Sequence, residues 1–144
     1  MHLNEVCLPE NYSRYFFMDL YMRFPETFIV AEENGAIIGY IMCRIENGIA
    51  GFGLNPFNTT KKGHVISIAV KPESRQKGVA SALIKEAIRA MATHKKAKEC
   101  HLEVRVGNTP AISLYKKIGF ETKKTARGYY SDGEDAYIMS VKLA

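Results

Sequence analysis

The stretch that decides the fold is His64-Val-Ile-Ser-Ile-Ala-Val-Lys-Pro-Glu-Ser-Arg-Gln-Lys-Gly-Val-Ala80, a strand that leads through a short loop into a helix. Residues 65–70 are apolar at nearly every position, which is typical of a strand covered on both faces, and Pro72 ends this strand. From about Gln76 to His94, two apolar rows at i+4 spacing predict an amphipathic helix. The rows are Val79, Leu83, Ala87 and Met91, and beside them Ala80, Ile84 and Ile88.

The junction between this strand and this helix has the chemistry of an anion-binding loop. The first turn of a helix has unpaired N–H groups and the positive end of the helix dipole, which suit a diphosphate. Gly78 lets the backbone approach such a ligand closely, and Arg75 and Lys77 add positive charge. An ordinary strand-loop-helix unit has the same pattern, so the junction alone leaves both interpretations open.

Two motifs in this chain resemble those of the GNAT acetyltransferases. Arg75-x-x-Gly78-x-Ala80 resembles their coenzyme A signature, Gln/Arg-x-x-Gly-x-Gly/Ala. Residues 108–120, Asn-x-x-Ala-x-x-Leu-Tyr-x-x-x-Gly-Phe, resemble the second motif of that family. Leu8–Tyr12 and Tyr129–Tyr137 resemble the peptide-gripping loops of the protein N-terminal acetyltransferases of RimI and NatA-catalytic-subunit type, so the resemblance covers essentially the whole chain.

The predicted elements define the fold class as α/β. After a helical opening, Thr27–Glu32 reads as a strand, Asn34-Gly35 as a hairpin turn, Ala36–Glu46 as the returning strand and residues 47–62 as a loop. After residue 94 we expect a strand at about 98–106, a short helix that Thr109 caps, Pro110 begins and Gly119 ends, and strands at about 120–127 and 136–143.

This order gives a mixed, mostly antiparallel sheet with helices on both faces. The resemblance implies the GNAT fold, whose two central parallel strands, here 64–70 and 98–106, start side by side and then splay apart. Members of the resembled branch usually begin with an extra strand, and only seven residues precede Leu8. We therefore expect that first strand to be absent.

Bulk properties predict one globular domain over residues 1–144. The chain is 47% hydrophobic, without an apolar run long enough to span a membrane, and without a signal-peptide pattern, so we expect it in the cytoplasm. Cys7, Cys43 and Cys100 have no metal-binding spacing, and we expect buried free thiols, no disulfide and no metal. The net charge of +5 is scattered and accompanies no nucleic-acid-binding motif, which disfavours nucleic acid as a partner.

The resemblance implies acetyl-CoA as co-substrate, with its pantetheine arm in the gap between the splayed strands. Main-chain N–H groups of Ile68, Ala69 and Val70 would hold the thioester carbonyl. The side near the thiol would be lined by Asn108 and Tyr115. The pyrophosphate would lie on the loop and first helical turn formed by Arg75, Gln76, Lys77, Gly78, Val79, Ala80 and Ser81.

Attack of an amine on a thioester needs a proton acceptor, and two side chains are candidates. His64 begins one central strand, and strand alternation turns Glu103 on the other strand away from the core. The alternatives are a polar strand end for His64 and a partner of Arg105 for Glu103. The resemblance matches both to base positions of the N-terminal acetyltransferases. Tyr115 is the candidate acid for the departing thiolate, with core packing as its alternative.

The resemblance places the peptide substrate between two loops, which supply Leu8, Pro9, Glu10 and Tyr12 on one side and Tyr129 and Tyr130 on the other, together with Ile66. The acidic residues 132–135 either act on the substrate through charge or form a tight turn. We expect a protein N-terminal α-acetyltransferase for nascent or ribosomal proteins. Two alternatives remain: a GNAT enzyme for lysine side chains or small amines, and a noncatalytic acyl-CoA-binding module. A homodimer or the N-terminal helix would cover the exposed strand 27–32.

Overall fold

Six strands form one mixed sheet in the computed structural model of the chain, which describes residues 14–49 and 59–143. The strands are β1 (Phe28–Glu33), β2 (Ala36–Ile49), β3 (Thr59–Val70), β4 (Glu99–Arg105), β5 (Glu121–Ala126) and β6 (Ala136–Lys142). The helices within the described ranges are α1 (Arg14–Arg23), α2 (Val79–His94) and α3 (Thr109–Ile118). The spatial order is β1-β2-β3-β4-β6-β5, in which β3 and β4 pair parallel and the other neighbours pair antiparallel. The predicted fold class is confirmed.

The two faces of the sheet are covered by different helices, as predicted. On one face, Ile41, Cys43 and Val65 belong to the main core with α2 and α3. The buried residues that α2 contributes are Leu83, Ile84, Ala87, Ala90 and Met91. On the opposite face, Leu20 of α1 packs with Tyr40 and Met42. Because Ile41 and Met42 are adjacent in β2, their side chains point to opposite faces, and the sheet separates two cores.

The hairpin between β1 and β2 has the predicted turn. Asn34 and Gly35 have φ angles of +52° and +81°, the left-handed conformation of a two-residue type I′ turn. β1 is one edge of the described sheet. The expected absence of a preceding strand concerns residues 1–13, which lie outside the described residues.

The loop predicted over residues 47–62 is wrong at both ends. β2 continues to Ile49 and β3 begins at Thr59, with Glu46 opposite Lys62 and Asn47 opposite Lys61. Polar residues continue the strands here because main-chain groups form the ladder, and opposite charges across it are favourable. Residues 50–58 lie outside the described residues.

Two predicted helix starts are displaced. The long helix begins at Val79 rather than near Gln76, because Gln76 and Gly78 have positive φ angles of 64° and 80° that a right-handed helix excludes. The short helix is capped by Asn108 rather than by Thr109, since the Asn108 side chain accepts a hydrogen bond from the Ala111 N–H at 3.3 Å.

Cys43 and Cys100 are free and buried, as predicted, and Cys7 lies outside the described residues. Burial raises the pKa of the Cys43 thiol well above its ordinary value and that of Cys100 to about 12, so both stay protonated at neutral pH. Among the described helices, none combines the length and the apolar character that crossing a membrane requires.

Candidate active site

The two central parallel strands separate after a short common stretch. Lys62, Gly63 and His64 of β3 face Glu99, Cys100 and His101 of β4, and beyond these the two strands share no further pairs in the described residues. β3 nevertheless continues to Val70 and β4 to Arg105. The sheet therefore opens between β3 and β4, with His64 and His101 at the vertex of the opening.

A β-bulge in β3 directly follows this vertex. Across the β2–β3 ladder, Cys43 lies opposite Val65 and Met42 lies opposite Ser67, so Ile66 is an extra residue on β3. A bulge bends its strand and increases the local twist. The bulge therefore accounts for β3 leaving β4 at this point.

The main chain of β3 beyond the bulge points alternately to β2 and to the opening. The Lys71 N–H donates to the Ile38 carbonyl of β2 at 2.8 Å, so the N–H of Ala69 points to β2 as well. By the same alternation the N–H groups of Ile68 and Val70 point to the β4 side. Of the three predicted donors to a thioester carbonyl, Ala69 is therefore misdirected, and Ile68 and Val70 face the opening.

His64 and Glu103, predicted from opposite strands, are in direct contact. His64 Nε2 lies 2.8 Å and 3.1 Å from the two Glu103 carboxylate oxygens, and the two side chains are 13% and 15% exposed. The other ring nitrogen, Nδ1, lies 3.0 Å from Glu46 Oε2. His64 is thus held between two carboxylates.

These contacts move the pKa values of all three groups. Burial lowers the pKa of His64, but its hydrogen bonds to Glu103 and Glu46 more than offset this, and the net pKa is raised. Burial raises the pKa of Glu103 and of Glu46, but the hydrogen bond and charge of His64 outweigh it together with the smaller contributions of Arg44 to Glu46 and of His101 and Tyr129 to Glu103, so both carboxyl pKa values are lowered. The arrangement therefore makes His64 a stronger base than a free imidazole and places it between two ionised carboxylates.

Glu46, Arg44 and His101 complete this cluster and were not predicted from the sequence. Arg44 donates to Glu46 Oε2 from Nε at 2.8 Å and approaches it with Nη2 at 2.7 Å. The His101 ring stacks on His64 with centroids 4.1 Å apart. Burial and then the neighbouring His64 charge lower the pKa of His101. The β2–β3 register, in which Arg44 lies opposite His64, would have indicated Arg44 and Glu46, and the β3–β4 register would have indicated His101, but the sequence does not determine either register.

Glu46, His64 and His101 each offer one ligand atom within 4.8 Å of the others, a spacing that a metal ion could use. The guanidinium of Arg44 already binds the Glu46 carboxylate, and its charge opposes a divalent cation there. Stacked imidazoles also direct their in-plane lone pairs along parallel lines rather than toward one point. We therefore interpret the cluster as a hydrogen-bonded network.

Tyr129 extends the network toward the surface. Its hydroxyl donates to Glu103 Oε1 at 3.3 Å, and the residue is half exposed. The Tyr130 ring packs edge-on against Tyr129 at 4.9 Å. One of the two predicted substrate tyrosines thus contacts a predicted catalytic residue directly, and the other supports it.

The acidic stretch 132–135 forms a turn around Arg105. Arg105 Nη1 donates to both Asp132 and Glu134 at 2.8 Å, and its guanidinium lies over the Tyr130 ring, 4.0 Å from the centroid. Gly133 has a φ of +93°, as a tight turn requires. Of the two sequence interpretations, the turn matches these contacts. In the contacts described, Glu103 pairs with His64 and Tyr129 rather than with Arg105.

Tyr115 lies in the core, 7% exposed, and packs against Phe120 with ring centroids 5.8 Å apart. Burial raises the pKa of its phenol to about 12. This environment matches the core-packing alternative and makes Tyr115 a weak proton donor. Asn108, predicted beside it in the cofactor set, uses its side-chain oxygen to cap α3.

The predicted pyrophosphate loop presents main chain to open space. A Cβ atom placed on Gly78 would have no neighbour within 4 Å, and Gly78 immediately precedes the first turn of α2. Arg75, Gln76 and Lys77 are exposed, and the Arg75 Nε donates to the Val70 carbonyl at 3.0 Å. The contact joins the loop to the end of β3. The first helical turn consists of the predicted residues Val79, Ala80 and Ser81.

Five further substrate residues were predicted. Leu8, Pro9, Glu10 and Tyr12 lie outside the described residues. Ile66 is partly buried and packs with the α1-side core around Leu20 and Tyr40.

Comparison with known proteins agrees with this geometry. The acetyltransferase (GNAT) family model matches residues 1–120. The chain is similar to an N-alpha-acetyltransferase of Sulfurisphaera tokodaii, with 48% identity over 141 residues that cover 98% of this chain and 84% of the relative.

Solved structures give the same assignment. The NatC complex bound to Gag peptide and CoA superposes with a TM-score of 0.86 at 28% identity, covering 99% of this chain and 87% of that chain. Chaetomium thermophilum Naa20 in complex with a bisubstrate analogue gives a TM-score of 0.85 at 29% identity, with 99% and 82% covered. Together with these matches, the split sheet with a helix N-terminus beside the split identifies an acetyl-CoA-dependent acyltransferase. The chain belongs to the GNAT family of acetyltransferases, and the predicted family is confirmed.

Proposed function

We propose that the chain transfers the acetyl group of acetyl-CoA to the α-amine of a protein or peptide N-terminus. The observation that carries this proposal is the contact of His64 Nε2 with Glu103 at 2.8 Å, at the vertex where β3 and β4 separate. The relatives of the chain support the α-amine as the acceptor, since the relative from Sulfurisphaera tokodaii is named an N-alpha-acetyltransferase.

The opening between β3 and β4 would take the thioester end of the co-substrate. The N–H groups of Ile68 and Val70 point there and would stabilise the carbonyl oxygen as negative charge develops, which is typically worth ~3 to 4 kcal/mol of barrier. The diphosphate would lie on the N–H groups around Gly78 at the start of α2, with Arg75 and Lys77 nearby. Asn108 and Tyr115 would hold the enclosing wall in shape.

In the reaction the amine nitrogen bonds to the acetyl carbon, the carbon–sulfur bond breaks, and the thiolate leaves. The amine must lose a proton, which the His64–Glu103 pair would accept directly or through water. A peptide α-amine has a reference pKa near ~7.8, against ~10.4 for a lysine amine. A modest base is therefore sufficient for an N-terminus, and a carboxylate-bound imidazole is such a base.

The peptide would enter past Tyr129, whose hydroxyl already reaches Glu103. A tyrosine buries ring area while its hydroxyl binds main-chain groups, which suits recognition of a chain end. Tyr130, braced by Arg105, would keep Tyr129 in place. Leu8, Pro9, Glu10 and Tyr12 would form the opposite wall, and Ile66 its floor.

The test is a pair of peptides that place the reactive amine differently. One has a free N-terminus and no lysine, and the other has a blocked N-terminus and one lysine. Mass spectrometry after incubation with acetyl-CoA should find acetylation of the first peptide only, and acetylation of the second alone would refute the proposal. His64→Gln should strongly reduce the rate of product formation, whereas His94→Gln, which changes an exposed histidine at the end of α2, should leave it unchanged.

The finer assignment is to the RimI and NatA-catalytic-subunit type, acting in the cytoplasm on nascent or ribosomal proteins. The supporting feature is the tyrosine loop at residues 129–137. A homodimer would cover the edge strand β1, where Val30 is 43% exposed and Ile37, across the turn, is 49% exposed. Sedimentation showing a monomer with this edge accessible would contradict the dimer.

A further inference from the structure

Glu46 is the least expected member of the cluster around His64. It lies on β2, outside the opening between β3 and β4, and its carboxylate is one-third exposed. One of its oxygens, Oε2, accepts a hydrogen bond from Arg44 Nε at 2.8 Å and lies 3.0 Å from His64 Nδ1. A single carboxylate oxygen therefore joins a fixed cation to the candidate base.

The hydrogen-bond chemistry of this contact determines where the protons of His64 lie. An ionised carboxylate only accepts hydrogen bonds, so the proton between Glu46 and His64 belongs to Nδ1. Nε2 then faces Glu103, again a carboxylate, at 2.8 Å. One exchangeable proton fits between Nε2 and Glu103, and that is the position a proton leaving the substrate amine would take.

We infer that Glu46 is a positioning residue that keeps the proton of His64 on Nδ1 and directs Nε2 at Glu103. The inference rests on the proposed acetyl transfer, since it gives Glu46 a role through His64 and no contact with substrate. An aspartate does the same for the histidine of a Ser-His-Asp triad, where it fixes the tautomer and stabilises the imidazolium.

Four ionisable groups face His64 in the described residues. Glu46 and Arg44 come from β2, and Glu103 and His101 come from β4. If the Glu46 charge is removed, Arg44 and Glu103 remain, so one attractive charge is lost while the neighbouring cation stays. The pKa of His64 should then fall, and the free ring can rotate or exchange tautomers.

The experiment compares the wild type with Glu46→Gln, which preserves shape and removes charge, and with Glu26→Gln as the control. Glu26 pairs with Lys95 and is similarly exposed, so its substitution removes an ion-paired carboxylate outside the cluster. Imidazole 15N resonances of the apo-protein, followed against pH, report both the pKa and the tautomer of His64. Steady-state kinetics with an N-terminal peptide report kcat and both KM values.

For Glu46→Gln we expect the His64 pKa to fall, as loss of an adjacent opposite charge implies. The acidic limb of the pH profile should shift to lower pH, and kcat at the plateau should drop tenfold or more with the acetyl-CoA KM unchanged. Glu26→Gln should match the wild type in every readout.

An unchanged His64 tautomer and an unchanged kcat plateau in Glu46→Gln would overturn the inference. A loss of kcat without any change in the His64 titration would also overturn it, because the effect would then not pass through His64. A wild type that acetylates no peptide N-terminus would refute the proposed function instead, while the titration would still show whether Glu46 controls His64.

Discussion

Replacing Gly78 with alanine should weaken coenzyme A binding far more than it weakens the fold. Gly78 has a φ of +80°, where an alanine costs roughly 1 kcal/mol of unfolding free energy. An added Cβ would meet no protein atom within 4 Å, so it would enter the space in which we place the diphosphate. Loss of one charge-assisted hydrogen bond is worth about 1.5 to 3 kcal/mol, which is a roughly ten- to hundredfold increase in Kd.

Gly35 provides a matched control. Its φ is +81°, an added Cβ would likewise have no neighbour within 4 Å, and it lies in the β1–β2 turn. Gly35→Ala should therefore lower the Tm by the same amount, about 3 °C, with coenzyme A affinity unchanged. Calorimetric titration with coenzyme A and thermal unfolding measure the two effects separately. Equal Kd values for the two variants would refute the diphosphate loop, whatever the loss in stability.

Three further predictions concern the site itself. His64→Gln and Glu103→Gln should each lower kcat by about a hundredfold or more. The double variant should be little slower than the slower single variant, because the two residues share one proton. Additive losses of activation free energy, measured with a peptide substrate, would contradict this. Burial lowers the pKa of His64 but two carboxylates raise it overall, so His64 stabilises the fold below about pH 6.5 and this stability is lost as pH rises through the folded pKa. The Tm advantage of the wild type over His64→Gln should accordingly shrink from pH 6 to 9, and an advantage that grows would disprove the linkage. Since burial raises the Tyr115 pKa to about 12, Tyr115→Phe should cost less than tenfold in kcat, whereas Tyr115→Ala should lose roughly 3 to 5 kcal/mol in urea unfolding.

Local sequence patterns were sufficient to predict the secondary-structure elements and one pair of site residues. The apolar rows of α2 and the Asn34-Gly35 turn are determined by neighbours in the sequence, and the structure has both. His64 and Glu103 could be paired because each lies on a predicted strand of the parallel crossover, so their meeting needs no detailed register.

Register was what the sequence could not supply. Glu46 and His64 both lie on predicted strands, but they meet only because Arg44 pairs with His64 across β2 and β3, and the sequence does not show how these two strands are aligned. The start of α2 was misjudged for a related reason, since the left-handed φ of Gln76 is imposed by the loop and not by its residue type. Arg105 could not be assigned to Asp132 and Glu134 without knowing how the turn folds back.

The bulge at Ile66 is the feature on which the chemistry depends most. The Lys61 carbonyl accepts from the Lys98 N–H, so residue 61 points to β4, and main-chain direction alternates along a strand. The Val70 carbonyl also points away from β2. Residues 61 and 70 are separated by an odd number of positions, so in a regular strand their carbonyls would point to opposite sides. One break in the alternation must lie between them, and Ile66 supplies it. Without that extra residue, the N–H groups of Ile68 and Val70 would point to β2, and the N–H of Ala69 would face the opening in their place.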